Sequence, residues 1–214
     1  MDFNHSVYKL KDFYRKLTVP QFTIVTGLIV IFLGTLVLST PFCSSQNVGL
    51  WEAFFTSTSA ITVTGLTVID IGSDLTIFGQ ILLAVMLLSG GLGLMAITTF
   101  LQGFVVKGAK LRTRLDKGKT LDEFGVGGIG RTFQSIAITA ASIISLGAFI
   151  LYFFGFININ NPWERLWVSI FHSISAYNNA GFSIWNTSIY EYRTNFVVNF
   201  VFIVLILIIT ISII

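Results

Sequence analysis

Residues 51–65 read WEAFFTSTSAITVTG, and 116 positions further on residues 167–181 read WVSIFHSISAYNNAG. The stretches share Trp51/Trp167, Phe55/Phe171, Ser57/Ser173, Ser59/Ser175, Ala60/Ala176 and Gly65/Gly181, six identities in fifteen positions. Leu66 on Phe182 and Val68 on Ile184 extend the match, and the flanking apolar stretches fall into the same register. Recurrence at a fixed offset marks a repeated structural unit. Residues 51–61 and 167–177 are long enough for three helical turns but about half of the roughly 20 residues that a spanning helix needs. They read as re-entrant helices. Each runs into a Gly-containing polar stretch, Thr62-Val63-Thr64-Gly65-Leu66 or Asn178-Asn179-Ala180-Gly181-Phe182. Non-helical backbone at membrane depth is tolerated only where protein buries it or where it lines a water-filled cavity. The fold expected is therefore an all-α integral membrane protein, with span, short pore helix and span in tandem.

Composition supports the membrane reading. Of 214 residues 54% are hydrophobic and 11% charged, against about 25% charged in soluble domains. Lys and Arg are absent from 20–50, 75–106, 132–161 and 194–214, each long enough to cross a bilayer. Lys9, Lys11, Arg15 and Lys16 precede the first span, and Lys107, Lys110, Arg112, Arg114, Lys117, Lys119 and Arg131 fall between the second and third. Arg165 and Arg193 remain for the other side, with Glu52, Asp70, Asp74, Glu164 and Glu191. This asymmetry predicts a multi-pass protein of the cell membrane with a cytoplasmic N-terminus, and it explains the net charge of +3 without a nucleic-acid partner. The first span lacks a small-residue cleavage site, so it does not read as a signal peptide. The single cysteine, Cys43, excludes an internal disulfide and a cysteine metal cluster.

The loops suggest a chemistry. Moving a bare cation into hydrocarbon costs on the order of tens of kcal/mol, so a conducting site must replace water with oxygens. Backbone carbonyls can do so if the chain accepts positive φ, which glycine does without steric penalty. Gly65 and Gly181 sit at that equivalent place. The C-terminal end of the preceding helix adds a partial negative charge that favours a cation. Either glycine alone would read as an ordinary turn residue at a helix end, and Thr62, Thr64, Asn178 and Asn179 as residues satisfying local backbone. Their recurrence at one offset favours the ion-binding reading.

Ser57 to Leu66 and Phe171 to Phe182 resemble the first and second pore loops of the Ktr/Trk/HKT superfamily of potassium transporters, nearest the bacterial KtrB type. Gly79-Gln80 and Ser89-Gly90-Gly91-Leu92-Gly93-Leu94-Met95 resemble that type as well. The resemblance implies four span-loop-span repeats around one pore. Val63 to Leu66 and Asn179 to Phe182 would supply filter carbonyls, and the first-repeat glycine would go with potassium preference. Potassium is then the transported ion, with sodium as candidate coupling or activating ion and no covalent cofactor. Implied partners are the lipid bilayer, a second copy in a homodimer and a cytosolic nucleotide-binding ring subunit. The divisions expected are a cytoplasmic segment (1–19), a first repeat (20–106), a basic loop (107–131) and a second repeat (132–214). The sequence stops inside the second span of that repeat. Third and fourth repeats, or further copies, would have to complete the pore, and a non-conducting fragment or scaffold is the competing function.

Gly125-Val126-Gly127-Gly128-Ile129-Gly130 fits a dinucleotide pattern but lacks the preceding strand; it reads as a cytoplasmic linker. His172, with only His5 as imidazole partner, reads as a packed, hydrogen-bonded residue and not a metal ligand. Asn186-Thr187-Ser188 is a sequon that a bacterial-type chain would leave unmodified. Gly90, Gly91 and Gly93 read as close-packing residues. A membrane-embedded enzyme is disfavoured, because no Ser-His-Asp set, buried carboxylate pair or H-E-x-x-H is present.

Overall fold

The structure is a computed structural model that describes residues 19–45, 48–91 and 126–213. The regular elements of these residues are helices: α1 (Val19–Leu38), α2 (Leu50–Ile61), the single turn α3 (Ile71–Asp74), α4 (Ile77–Gly91), α5 (Val126–Ile150), α6 (Pro162–Tyr177) and α7 (Phe196–Ile213). α5 passes into a π turn, Leu151–Gly155, and a 3₁₀ turn, Tyr190–Tyr192, precedes α7. The N-terminal basic cluster, Gly93 and Lys107 to Lys119 lie outside the described residues.

α1, α5 and α7 are apolar around much of their circumference, as a helix between protein and lipid requires. Leu28, Phe32 and Leu33 on α1, Leu146 and Phe149 on α5, Phe153 in the π turn, and Phe200, Ile203 and Leu207 on α7 all point outward. Water does not tolerate apolar faces of that extent on a monomer, whereas acyl chains do. Polar groups on these helices satisfy themselves locally: Thr35 Oγ1 donates to Ile31 O at 2.8 Å, and Thr210 Oγ1 to Ile206 O at 2.8 Å. Among the described residues one helix, Gln134–Gly155, is long and apolar enough to cross a membrane by itself. Thr23–Leu38, Ile77–Gly91 and Phe196–Ile211 are shorter apolar helices.

The two short helices are the buried elements. α2 packs on α1 and α4, α6 packs on α5 and α7, and α4 also touches α6. Small residues permit the approach. A Cβ added at Gly34 on α1 would fall 2.5 Å from Met86 Cε and 3.3 Å from Ser57 Oγ. One added at Gly147 on α5 would fall 2.7 Å from Ser173 Oγ. Ser173 Oγ donates to Ile144 O of α5 at 2.7 Å, whereas Ser57 Oγ, fully buried, finds no partner among the described residues.

Two boundaries and one pairing differ from the sequence reading. α6 begins at Pro162 and not at residue 167, because Asn161 accepts from the Trp163 amide at 3.0 Å and Pro162 takes the first helical position. Alignment on tryptophan hides this, since α2 opens differently: Glu52 reaches back to the Gly49 amide at 2.7 Å. α5 begins at Val126, so residues 126–131 are helix and not linker. Extending an existing helix costs far less than starting one, and the long apolar helix that follows carries the glycines with it. Finally, the paired tryptophans diverge. Trp51 is 83% exposed, while Trp167 is half-buried and donates from Nε1 to Gln80 Oε1 at 2.6 Å.

Gln80 is buried on α4, and its Nε2 donates to Ile71 O at 3.3 Å and Leu75 O at 3.4 Å. The Gln80 side chain thus joins α4 to α6 and to the turn before α4. Trp167→Phe should lower the thermal midpoint of the purified protein, with a cost of about 1–3 kcal/mol for the stranded acceptor. A Trp167→Phe/Gln80→Leu double variant should recover part of that loss, because both polar partners are then gone. Melting of the three proteins in one detergent checks the cycle.

Candidate ion-coordination loops

α2 and α6 close in the same way. At the end of α2 the Val63 amide donates to Ala60 O at 3.3 Å and the Thr64 amide to Ser59 O at 2.9 Å. At the end of α6 the Asn179 amide donates to Ala176 O at 3.0 Å and the Ala180 amide to Ser175 O at 2.9 Å. These paired bonds form the Schellman closure, which requires a left-handed residue just beyond the cap and usually takes glycine there. Here Val63 (φ 55°) and Asn179 (φ 57°) fill that place, 116 residues apart. A β-branched residue in this region is a strained outlier, at on the order of 1–3 kcal/mol. Gly65 and Gly181 follow two residues later and do not close the helices.

Gly65 (φ 80°) and Gly181 (φ 74°) are left-handed as well, while Thr64 and Ala180 between them keep negative φ. Residues of one hand send successive carbonyls to opposite sides of an extended chain. When the hand alternates, neighbouring conformations are near mirror images and successive carbonyls turn to one side. The hydrogen-bond accounting fits this. The carbonyl oxygens of Val63, Thr64, Gly65, Leu66, Asn179, Ala180 and Gly181 accept no hydrogen bond from the described residues, whereas Phe182 O accepts from Ser175 Oγ at 2.7 Å. Seven acceptors without a protein donor on two adjacent loops, most of them on exposed or half-buried residues, are open to solvent or to another partner.

The loops also touch each other, since a Cβ at Gly65 would lie 1.7 Å from Ala180 O, while one at Gly181 would meet nothing within 4 Å. Thr62, Thr64, Leu66, Asn179 and Gly181 are exposed, Val63 and Gly65 half-buried, and Asn178, Ala180 and Phe182 buried. Thr62 Oγ1 donates to Thr58 O at 2.8 Å and pairs with Thr64 Oγ1 at 2.6 Å. Asn178 Nδ2 donates to Ile174 O at 2.8 Å, and its Oδ1 lies against Gly91 without a hydrogen-bond partner. Of the ten expected residues, Phe182 has its oxygen engaged by Ser175, and Asn178 has its side chain turned into the protein.

Supporting residues lie behind the loops. Ser59 Oγ accepts from the Leu66 amide at 2.9 Å. Gly90 and Gly91, the last described residues of α4, wedge between the two helix ends. A Cβ on Gly90 would fall 2.4 Å from Ile61 O, and one on Gly91 1.8 Å from Asn178 Oδ1. Beyond the glycines, Thr67 Oγ1 accepts from the Ile69 amide at 3.1 Å, and at the matching place Ser183 Oγ accepts from the Trp185 amide at 3.1 Å. The hydroxyl protons then diverge. Thr67 donates to Ile69 O at 2.9 Å, whereas Ser183 Oγ meets His172 Nε2 at 3.1 Å. His172 Nδ1 lies 2.9 Å from Val168 O, an acceptor, so Nδ1 carries a proton and a neutral ring takes the Ser183 proton at Nε2. The ring stacks on Trp185 at 4.5 Å. It is a packed histidine, and nothing in the repeat pointed to it, because Thr56 holds the equivalent position. Ser59 and Ser175, by contrast, stood among the repeat identities.

These observations define a helical membrane protein with two adjoining loops that present unpaired backbone oxygens. A profile for TrkH, cation transport protein, matches residues 8–212, and the chain belongs to that family of membrane transport proteins, which are not enzymes. Ktr system potassium uptake protein B of Bacillus subtilis (strain 168) is 32% identical over 195 residues, covering 88% of this chain and 43% of that protein. Potassium/sodium uptake protein NtpJ of Enterococcus hirae is 30% identical over 189 residues, 87% of this chain and 42% of the relative. The protein of the first name from Vibrio alginolyticus is 29% identical over 181 residues, 85% and 40%. The chain therefore spans less than half the length of these curated relatives.

Equal conformations with unequal surroundings give an asymmetric expectation for substitution. Gly181→Ala should cost about 1–2 kcal/mol, the ordinary penalty of a left-handed Cβ. Gly65→Ala should cost at least about 1–3 kcal/mol more, because its Cβ also collides with backbone. The yield of folded protein and its melting temperature, compared between the two variants, check the order.

Proposed function

We propose that the chain supplies two of the loops of a potassium-conducting pore, with dehydrated ions held by backbone carbonyls of residues 63–66 and 179–181. The observation that carries this reading is the row of carbonyl oxygens without donors, on loops whose alternating hand turns them to one side. α2 and α6 are re-entrant helices whose C-terminal ends face the path and favour a cation. Thr62 and Asn178 belong to the inner ends of the loops, Thr62 by its exposed hydroxyl and Asn178 by bracing against Gly91. Residues 20–106 and 132–214 form two repeats of span, pore helix and span, with the second extended back to Val126 by α5. The N-terminus and the loop between the repeats face the cytoplasm.

Two loops enclose part of a path. The remaining oxygens come from further loops outside these residues. The names of the relatives support potassium as the transported ion, and the potassium/sodium uptake protein supports sodium as a second or coupling ion. A homodimer in the bilayer and a cytosolic nucleotide-binding ring on the basic loop complete the assembly proposed. Because the chain covers under half of its relatives, the 214 residues alone are the non-conducting part of such an assembly. Expressed alone in a host lacking potassium uptake, they should not restore growth at low potassium.

Gly181→Ser is the sharper probe of the loops, since the space at that position is open. In a transport-competent protein carrying residues 1–214, this substitution should reduce potassium over sodium preference by about tenfold, equal to about 1.4 kcal/mol. Competition between the two ions in an uptake assay measures it. An unchanged ratio with normal expression would falsify the assignment of the ion path to these loops.

A further inference from the structure

Ser59 and Ser175 stand at the same place on α2 and α6, and their hydroxyls reach the same residue of the loop that follows, the one after the glycine. They do so with opposite polarity. Ser59 Oγ accepts from the N–H of Leu66 at 2.9 Å, while Ser175 Oγ donates to the carbonyl of Phe182 at 2.7 Å. A backbone N–H can only donate and a carbonyl can only accept, so the two bonds are not alternative descriptions of one arrangement.

The polarity decides where each carbonyl goes. In the first loop the serine holds the amide, and the Leu66 oxygen has no donor among the described residues. Leu66 is 61% exposed. In the second loop the serine holds the oxygen itself. Phe182 is 3% exposed and Ser175 also 3%, so the bond lies inside the protein. A carbonyl that accepts from a buried hydroxyl has a lone pair committed to it and its direction fixed by that bond.

We propose that the outermost level of the ion path is unequal: the Leu66 carbonyl serves the ion, and the Phe182 carbonyl is withheld from it by Ser175, which acts as a positioning residue. The first loop then contributes four oxygens, from residues 63–66, and the second three, from residues 179–181. An outer level one oxygen short holds a dehydrated ion less tightly than the levels below it, which favours exchange with water at the mouth. This deepens the pore reading above and rests on it.

Two measurements test the asymmetry in a transport-competent protein containing these residues. The first is the position of rubidium, located by its anomalous scattering in crystals. Rubidium in contact with Leu66 O and out of contact with Phe182 O is the result expected. Rubidium coordinated by both oxygens overturns the asymmetry and leaves the pore reading intact, whereas rubidium absent from both loops overturns the pore reading itself. The second is uptake kinetics. Ser175→Ala releases the Phe182 oxygen, so KM for potassium should fall by about threefold to tenfold, the worth of a hydrogen bond converted to affinity. Ser175→Thr, which keeps the hydroxyl, should restore the original KM. A KM that stays the same or rises in Ser175→Ala, or a Ser175→Thr variant that behaves like it, overturns the role given to Ser175. The crystallographic arm stands even if Ser175→Ala assembles poorly, because it uses the unsubstituted protein.

Discussion

A backbone oxygen is most available to a cation where the fold has left it without a donor, and in each loop the left-handed residue that closes the short helix prepares this. Val63 and Asn179 take the last helical carbonyls through paired amide bonds. Every amide used in that closure points back toward the helix, so the carbonyls beyond it point forward. The strain of a valine in the left-handed region, on the order of 1–3 kcal/mol, is sustained because two hydrogen bonds and a packed helix end fix the chain there. Gly65 and Gly181 then repeat the change of hand without strain.

Much of this was legible in the sequence, and the rest was hidden for identifiable reasons. Repetition made the short helices, their serines and the two glycines visible together, because a duplicated pattern raises several weak signals at once. The left-handed Val63 could not be read, since valine is among the last residues that a helix closure would take. Neither could the polarity of Ser59 and Ser175: identical residues at identical places serve different atoms, and only geometry tells them apart. The start of α6 was obscured by aligning tryptophans when the two helices use different caps. The glycine-rich start of α5 read as linker because glycine has low helix propensity, a weak local tendency that a long apolar helix overrides.

Packing around the loops depends on glycines that are close neighbours of backbone. Gly90 lies against the carbonyl end of α2 and Gly91 against the cap of α6. One helix, α4, is thereby in contact with both loops at adjacent residues. Gln80, one face higher on the same helix, is tied to Trp167 at the other end of α6. α4 is braced at both heights against the element that carries the second loop, and a side chain as small as alanine at either glycine has no room.

The different fates of two hydroxyl protons give the loops different attachments. Thr67 is bonded to its own turn, and the segment beyond Gly65 is held to α2 instead through the Leu66 amide on Ser59. Ser183 is coupled through the His172 ring to the Val168 carbonyl, a full helical turn before the histidine, and the ring is clamped by Trp185. The segment beyond Gly181 is attached to α6 by this second route as well. Each loop is thus tied to its own short helix, the first at Leu66 through Ser59, and the second both at Phe182 through Ser175 and at Ser183 through His172.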